Sequence, residues 1–82
     1  MTNFTKTYPI KGITVDMFGG NYYECFKYVL RSIGKMVAEH NRDEYVAWRI
    51  KSKDMDFYAR GMNHIDRQKF CHDWLTDHGY LR

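Results

Sequence analysis

The chain contains one proline and two cysteines, and none of its apolar runs approaches the roughly 18 residues of a membrane-spanning helix. One proline and six glycines are too few for a collagen-like or low-complexity chain. The first ten residues lack the basic segment and apolar stretch of a secretory signal. With 82 residues there is room for one domain only. We expect a single domain, 1–82, that neither spans a membrane nor is exported.

The two cysteines, Cys25 and Cys71, both lie among large apolar neighbours. Such surroundings favour reduced, buried thiols over a disulfide, because small buried cysteines behave as apolar residues and disulfides belong to oxidising compartments. We therefore expect the protein to be cytoplasmic.

An excess of charge of one sign is also missing. Thirteen Lys and Arg against ten Asp and Glu give a formal charge of +3, which allows an acidic partner but is small for a dedicated polyanion binder. Aromatic residues, in contrast, are abundant at 17%. They bring large buried areas to a small core and, where exposed, they mark binding sites.

Two helices are predicted from apolar spacing and capping residues. The first covers 22–40, where Asn21 and Glu24 form a capping-box pattern and apolar residues recur every three or four positions. The second covers about 64–78, with Asn63 as N-cap and Gly79 as a left-handed C-cap that lets Tyr80 pack back on Leu75. Its inner face should hold Phe70, Cys71, Trp74 and Leu75.

The first helix carries two further features. Gly34 lies in its interior, which costs roughly 1 kcal/mol relative to Ala and indicates either that another backbone packs closely there or that the helix bends. Lys27, Arg31 and Lys35 are spaced by four along one face. A solvated face is the simpler interpretation of this row, and contact with phosphates or an acidic partner is the alternative.

Strands are predicted where apolar residues alternate. Residues 13–18 are one such segment, and Val46, Trp48 and Ile50 alternate with Arg49, Lys51 and Lys53 in another. Residues 55–60 fit either a return strand or a short helix, and we favour the hairpin. The predicted fold class is α+β, with two main helices packed on a small sheet. A mostly α fold is the alternative.

No convergent catalytic set is evident. Cys71, His72 and Asp73 resemble a triad when written out, but neighbours in a helix point about 100° apart and should not bond in that order. His64, Gln68 and Cys71 or His72 share a helical face without a paired zinc motif. We therefore expect no enzyme activity, no metal and no cofactor.

The C-terminal half carries a resemblance to a known family. The Phe57-Tyr58 pair and Cys71-x-Asp73-Trp74-Leu75 followed by His78 resemble the end of the small dGTPase-inhibitor proteins of podovirus-type phages. The length of the whole chain and its content of Tyr, Lys and Asn are also similar to those of early or accessory proteins of large tailed phages, among them a cytoplasmic lysis-inhibition accessory protein. Both resemblances imply a small non-enzymatic protein that binds and holds another protein.

The expected function is therefore regulatory or inhibitory binding of a partner protein, by a phage-encoded accessory protein of host takeover or lysis control. We expect the contacts to come from a group of aromatic and basic residues near the second predicted strand: Tyr45, Arg49, Lys51, Lys53, Tyr58 and Arg60. The alternative is a nucleic-acid-binding module that uses the basic strand and helix face. A homo-oligomer that buries surplus aromatics between subunits is a third hypothesis.

Overall fold

A computed structural model of the chain describes Ile10 and residues 13–81. Within these residues it contains a 3₁₀ turn and three α-helices: Val15–Phe18, then α1 Tyr22–His40, α2 Arg42–Arg60 and α3 His64–Asp77. No strand occurs in this part of the chain. The fold is all-α, so the predicted α+β class is wrong, and the alternative of a mostly α chain describes it better.

The predicted strand at 13–18 is instead the 3₁₀ turn and the residues that lead into it. Its alternating residues do not share a buried side, since Ile13 packs against the core whereas Met17 is 62% exposed. Gly19 and Gly20 follow with φ values of 65° and 77°, which are left-handed conformations that glycine adopts without strain. They turn the chain directly into α1.

Helix α1 begins and ends where the sequence predicted. The Asn21 side chain accepts hydrogen bonds from the amides of Tyr23 and Glu24, at 3.0 and 3.2 Å, so the N-cap is confirmed. The apolar face of α1 supplies most of the core, and its buried members are Cys25, Phe26, Val29, Leu30, Ile33, Gly34 and Val37. Helix α1 packs against both α2 and α3, so it is the central element.

Helix α2 replaces the predicted strand at 46–51 and the predicted return strand at 55–60, so both strand predictions are wrong. The helix left open as the alternative for 55–60 describes that segment better. Its inner side consists of two buried residues, Trp48 and Ala59, and three half-buried ones, Tyr45, Ser52 and Met55. In chain order these positions are 45, 48, 52, 55 and 59. Those intervals of three and four residues are the period of a helix. The alternation failed because only Trp48 of its three apolar members is buried, whereas Val46 and Ile50 are 51% and 60% exposed.

One residue, Asn41, joins the two long helices. Its amide donates to the Val37 carbonyl at the end of α1, and its side chain accepts from the Glu44 amide, at 3.1 Å, at the start of α2. The contacts then run in opposite order along the two helices, because Trp48 reaches Leu30 while Asp56 reaches Tyr23. Helices α1 and α2 are therefore antiparallel neighbours.

Helix α3 closes the core from the other side of α1. Its predicted caps are confirmed: Asn63 accepts from the Asp66 amide at 2.9 Å, and Gly79 has a φ of 81°. The Tyr80 amide donates to the Leu75 carbonyl at 2.8 Å, which completes a Schellman motif and returns Tyr80 to the core. Trp74 lies half-buried against Phe26, with ring centroids 5.2 Å apart.

Arg67 ties α3 to the end of α2. Its guanidinium donates to the carbonyls of Ala59, Arg60 and Met62 at 3.0, 3.1 and 2.7 Å. These carbonyls lie at or beyond the last turn of α2, where the helix itself provides no partner. The charge of Arg67 also suits the negative end of the helix dipole.

None of the helices in the described residues combines the length and the apolarity that a bilayer crossing requires.

Candidate partner-binding groove

A groove of about 590 Å³ runs between α1 and α2. Its buried and half-buried apolar or small residues, which we call its floor, are Leu30 and Gly34 from α1 and Tyr45, Trp48 and Ser52 from α2. We call the remaining lining residues its sides: exposed Ala38, with the charged Lys27, Arg31 and Lys35 from α1 and Arg49, Lys53 and Asp56 from α2. We call this surface the α1–α2 groove. Five cationic side chains and one carboxylate therefore surround an apolar floor.

The floor depends on close packing at Gly34. A β-carbon there would lie 3.4 Å from Trp48 Cδ1, so the indole rests directly on the helix backbone. The indole Nε1 donates a hydrogen bond of 3.1 Å to the Leu30 carbonyl, one turn earlier in α1. The interior glycine is thus explained by close packing of a side chain, the Trp48 ring, and not of the neighbouring backbone that the sequence suggested.

Most of the positive charge in the groove has no anionic partner within the part of the chain that the structure describes. Lys27 pairs with Glu24 at 3.1 Å and lies 4.7 Å from the centre of the Tyr23 ring. Within the described residues, no ion pair involves the other four cations of the groove, which are Arg31, Lys35, Arg49 and Lys53. These four side chains are exposed. Pairing them with an acidic ligand at the surface would therefore remove little water from their charges and cost little desolvation energy.

The carboxylate of the groove, in contrast, is engaged. Asp56 accepts a hydrogen bond of 2.7 Å from the Tyr23 hydroxyl and pairs with Arg60 at 3.4 Å. Burial and this hydrogen bond raise the pKa of Tyr23 to about 12. Asp56 therefore links α2 to α1 at one end of the groove. It neutralises little of the positive charge of the cations farther along the groove.

The structure brings together three of the six residues that the sequence analysis chose for partner contact. Arg49 and Lys53 stand on one side of the groove, and Tyr45 is half-buried in its floor. The other three, Lys51, Tyr58 and Arg60, are not among the groove residues. Tyr58 is 62% exposed and packs against Phe70, with ring centroids 5.4 Å apart.

The sequence analysis missed that the first helix supplies the opposite side of the same site. Lys27, Arg31 and Lys35 were noted as a row, but their position facing Arg49 and Lys53 depends on the pairing of α1 with α2. Two signals pointed to it: the interior glycine, which indicates a close neighbour, and the asparagine-capped start of α2 immediately after α1.

A second exposed surface lies on the outer side of α2. Val46, Ile50 and Phe57 are 51%, 60% and 75% exposed and share this side of the helix. Lys53, which also lines the α1–α2 groove, interrupts them, and none of the three is among the residues that line that groove.

The thiol and the histidines of α3 do not come together as one reactive or metal-binding group. Cys71 is fully buried, and burial raises the pKa of its thiol to about 12, whereas His72 is exposed. His72 and Asp73 do contact each other, at 3.1 Å, which corrects the expectation that helical neighbours would not bond. Gln68 is occupied by the start of α1, where it bonds Asn21 and the Tyr22 amide. Across the described residues, no group of three or more His, Cys, Asp or Glu could hold a metal ion.

Comparison with protein-family models, curated proteins and solved structures finds no match for this chain. Any function must therefore be argued from the surface itself, and the α1–α2 groove is the described surface that combines shape, charge and an apolar floor.

Proposed function

We propose that this is a small non-enzymatic protein that acts by binding another protein, and that it holds an acidic segment of that partner in the α1–α2 groove. The observation that carries the proposal is a set of four exposed cations beside an apolar floor, Arg31, Lys35, Arg49 and Lys53, for which the described residues provide no ion pair. Complementary charge guides and orients a partner, while the apolar contact supplies binding energy.

The resemblance of the C-terminal half to phage inhibitor proteins favours a regulatory or inhibitory outcome of this binding. We extend the proposal accordingly to a phage-encoded accessory protein that acts in the reducing cytoplasm, where the buried thiols Cys25 and Cys71 stay reduced.

Nucleic acid is the alternative ligand, because the same cations can contact phosphates. Binding of single strands also uses exposed aromatic rings on which bases stack. In the groove, Trp48 is 2% exposed and Tyr45 is half-buried. The floor therefore suits an apolar side chain better than a stacked base.

A crosslinking experiment tests the proposal. A photoreactive amino acid replaces Ala38, which is exposed and lines the groove, in the full chain expressed in its native host. A matched probe at Thr76, which is exposed on α3, reports contacts elsewhere. We expect a protein to be crosslinked from Ala38 and not from Thr76, through a segment rich in Asp and Glu.

Two charge-reversal variants provide the control. Arg31→Glu with Lys53→Glu changes the groove, while Lys51→Glu with Lys69→Glu changes the net charge equally outside it. We expect the first pair to weaken capture at least about tenfold, which corresponds to about 1.4 kcal/mol, and the second pair to leave it unchanged. Equal loss in both pairs, or capture that disappears after nuclease treatment, would contradict the proposal.

A further inference from the structure

Among the described residues, the groove is lined by α1 and α2 alone, and α3 contributes no residue to it. Helix α3 instead packs mainly on α1, against its face that contains Phe26. Within Ile10 and residues 13–81, the two antiparallel helices thus present a seam that no third helix covers, and such a seam is the surface on which a further helix packs in helical bundles.

The length and width of the groove suit such a helix. Lys27 and Ala38 mark its ends on α1, and eleven residues of helix rise about 16 Å, or about three turns. Along this line Gly34 lies against the Trp48 ring, and the exposed Ala38 lines the groove one turn farther along α1. Small residues let another helix approach, while the ring and Leu30 give apolar contact.

The spacing of the cations matches a helical partner. Lys27, Arg31 and Lys35 recur every four residues, about 6 Å apart along α1, and Arg49 and Lys53 repeat that interval on α2. Carboxylates at positions i and i+4 of another helix have the same separation. The groove places these cations on both sides of the floor, so the ligand needs acidic side chains on both flanks of its apolar face.

An extended peptide does not meet this requirement. In a strand, successive side chains point to opposite faces, so an apolar face laid on the floor directs the other side chains away into solvent. In a helix, the residues beside the apolar stripe point sideways, towards the Arg31 and Lys53 sides of the groove.

From this geometry we infer that the ligand of the α1–α2 groove is an acidic amphipathic α-helix of the partner protein, about three turns long, with Asp or Glu on both flanks of its apolar stripe. This inference rests on the proposed function and specifies the conformation and residue pattern of the bound segment. Bound in this way, the segment adds a fourth helix to the bundle.

An unbiased peptide selection tests the inference without knowledge of the partner. A phage-displayed library of random 16-residue peptides is selected on the immobilised full chain and counterselected on the Arg31→Glu, Lys53→Glu variant. The Lys51→Glu, Lys69→Glu variant controls for net charge. We expect enriched peptides with Asp and Glu on both sides of an i, i+3, i+4, i+7 apolar pattern.

Synthetic versions of the enriched peptides then report conformation and location. We expect them to gain helical circular dichroism on binding, and a central proline to weaken binding at least about tenfold. Ala38→Trp, which fills one end of the groove, should weaken binding to a similar extent, and Thr76→Trp should not. Both positions are exposed, so melting curves of the two variants should match that of the parent.

The outcomes separate the inference from the proposed function. Acidic peptides that need the groove cations but bind in an extended form, or tolerate the proline, overturn the helical inference and leave the proposed function intact. Absence of enrichment, or enrichment that survives on the Arg31→Glu, Lys53→Glu variant, overturns both. A competition assay covers the nucleic-acid alternative. If a single-stranded oligonucleotide displaces the bound peptides at a lower concentration than unlabelled peptide does, both the inference and the proposed function are overturned.

Discussion

Replacement of Trp48 by Phe tests the packing that forms the groove floor. Trp48→Phe removes the indole N–H that donates to the Leu30 carbonyl at 3.1 Å, a bond worth about 0.5–1.5 kcal/mol net. The phenyl ring also lacks two carbon atoms of the indole, and at about 0.8 kcal/mol for each buried carbon group their loss costs about 1.5 kcal/mol. We therefore expect the free energy of unfolding to fall by about 2–3 kcal/mol.

The matched control is Ile50→Ala. Ile50 is 60% exposed on the outer side of α2, so its truncation should change the free energy of unfolding by less than about 0.5 kcal/mol. A strand over 46–51 would bury Ile50 together with Trp48, and both substitutions would then be costly. The contrast between the two variants therefore separates the helix from the strand.

Thermal unfolding followed by far-UV circular dichroism gives the measurement. For a domain of this size about 1 kcal/mol shifts the melting midpoint by roughly 4–8 °C, so Trp48→Phe should lower it by about 8–24 °C. Ile50→Ala should lower it by less than about 4 °C. Equal losses in the two variants, or an unchanged midpoint for Trp48→Phe, would refute the assignment of the buried face.

Four further predictions concern the core and its titratable groups. Ile33→Ala, at a fully buried position of α1, should cost about 2–5 kcal/mol in urea unfolding, and a parental midpoint would show that this face is not the core. Arg67→Ala should cost about 1–3 kcal/mol by the same assay, because three carbonyls at the end of α2 lose their charged donor; no loss would mean that water replaces it. Cys25 and Cys71 are fully buried, so a thiol reagent at neutral pH should modify them only after denaturant is added, and rapid reaction of the native protein would contradict their burial. Burial raises the pKa of Cys71 from 9.0, and that of Tyr80 from 10.0, to about 12, because the folded state disfavours their ionised forms. The midpoint of urea unfolding should therefore stay constant up to about pH 9 and fall as the pH rises towards 12. A midpoint that does not change over this range would exclude the linkage.

Helices α1 and α3 could be predicted because the signals for both are local. Asn21 and Asn63 supply the N-caps that the sequence indicates, and the Gly79 turn stops α3 where expected. Each helix also carries an apolar face that is buried in the structure, so pattern and packing agree.

Helix α2 could not be predicted from the apolar pattern, because its exposed side is also apolar. Val46, Ile50 and Phe57 are exposed while only Trp48 and Ala59 are fully buried, so the apolar residues in this helix do not mark its inner face. Capping chemistry was the better guide. Asn41 accepts from the Glu44 amide, the same N-x-x-E pattern that identified α1.

The change from strand to helix also changes the composition of the site. On a strand, Arg49, Lys51 and Lys53 share one face, because every second side chain points the same way. On a helix, residues four apart share a face, so Arg49 and Lys53 remain together and Lys51 turns away from them.

The pairing of α1 with α2 then completes the site. A basic row on a lone amphipathic helix is adequately explained as its solvated side, and within residues 27–35 only Gly34 indicates a close neighbour. The Gly34 contact with Trp48 brings the two helices close enough for Arg31 and Lys35 to face Arg49 and Lys53 across one apolar floor. Like charges gathered in this way raise the electrostatic energy of the free protein, and an acidic ligand lowers it by neutralising them. Repulsion among these cations raises the free energy of the unoccupied groove. The same repulsion therefore favours binding of the acidic helix that we propose as its ligand.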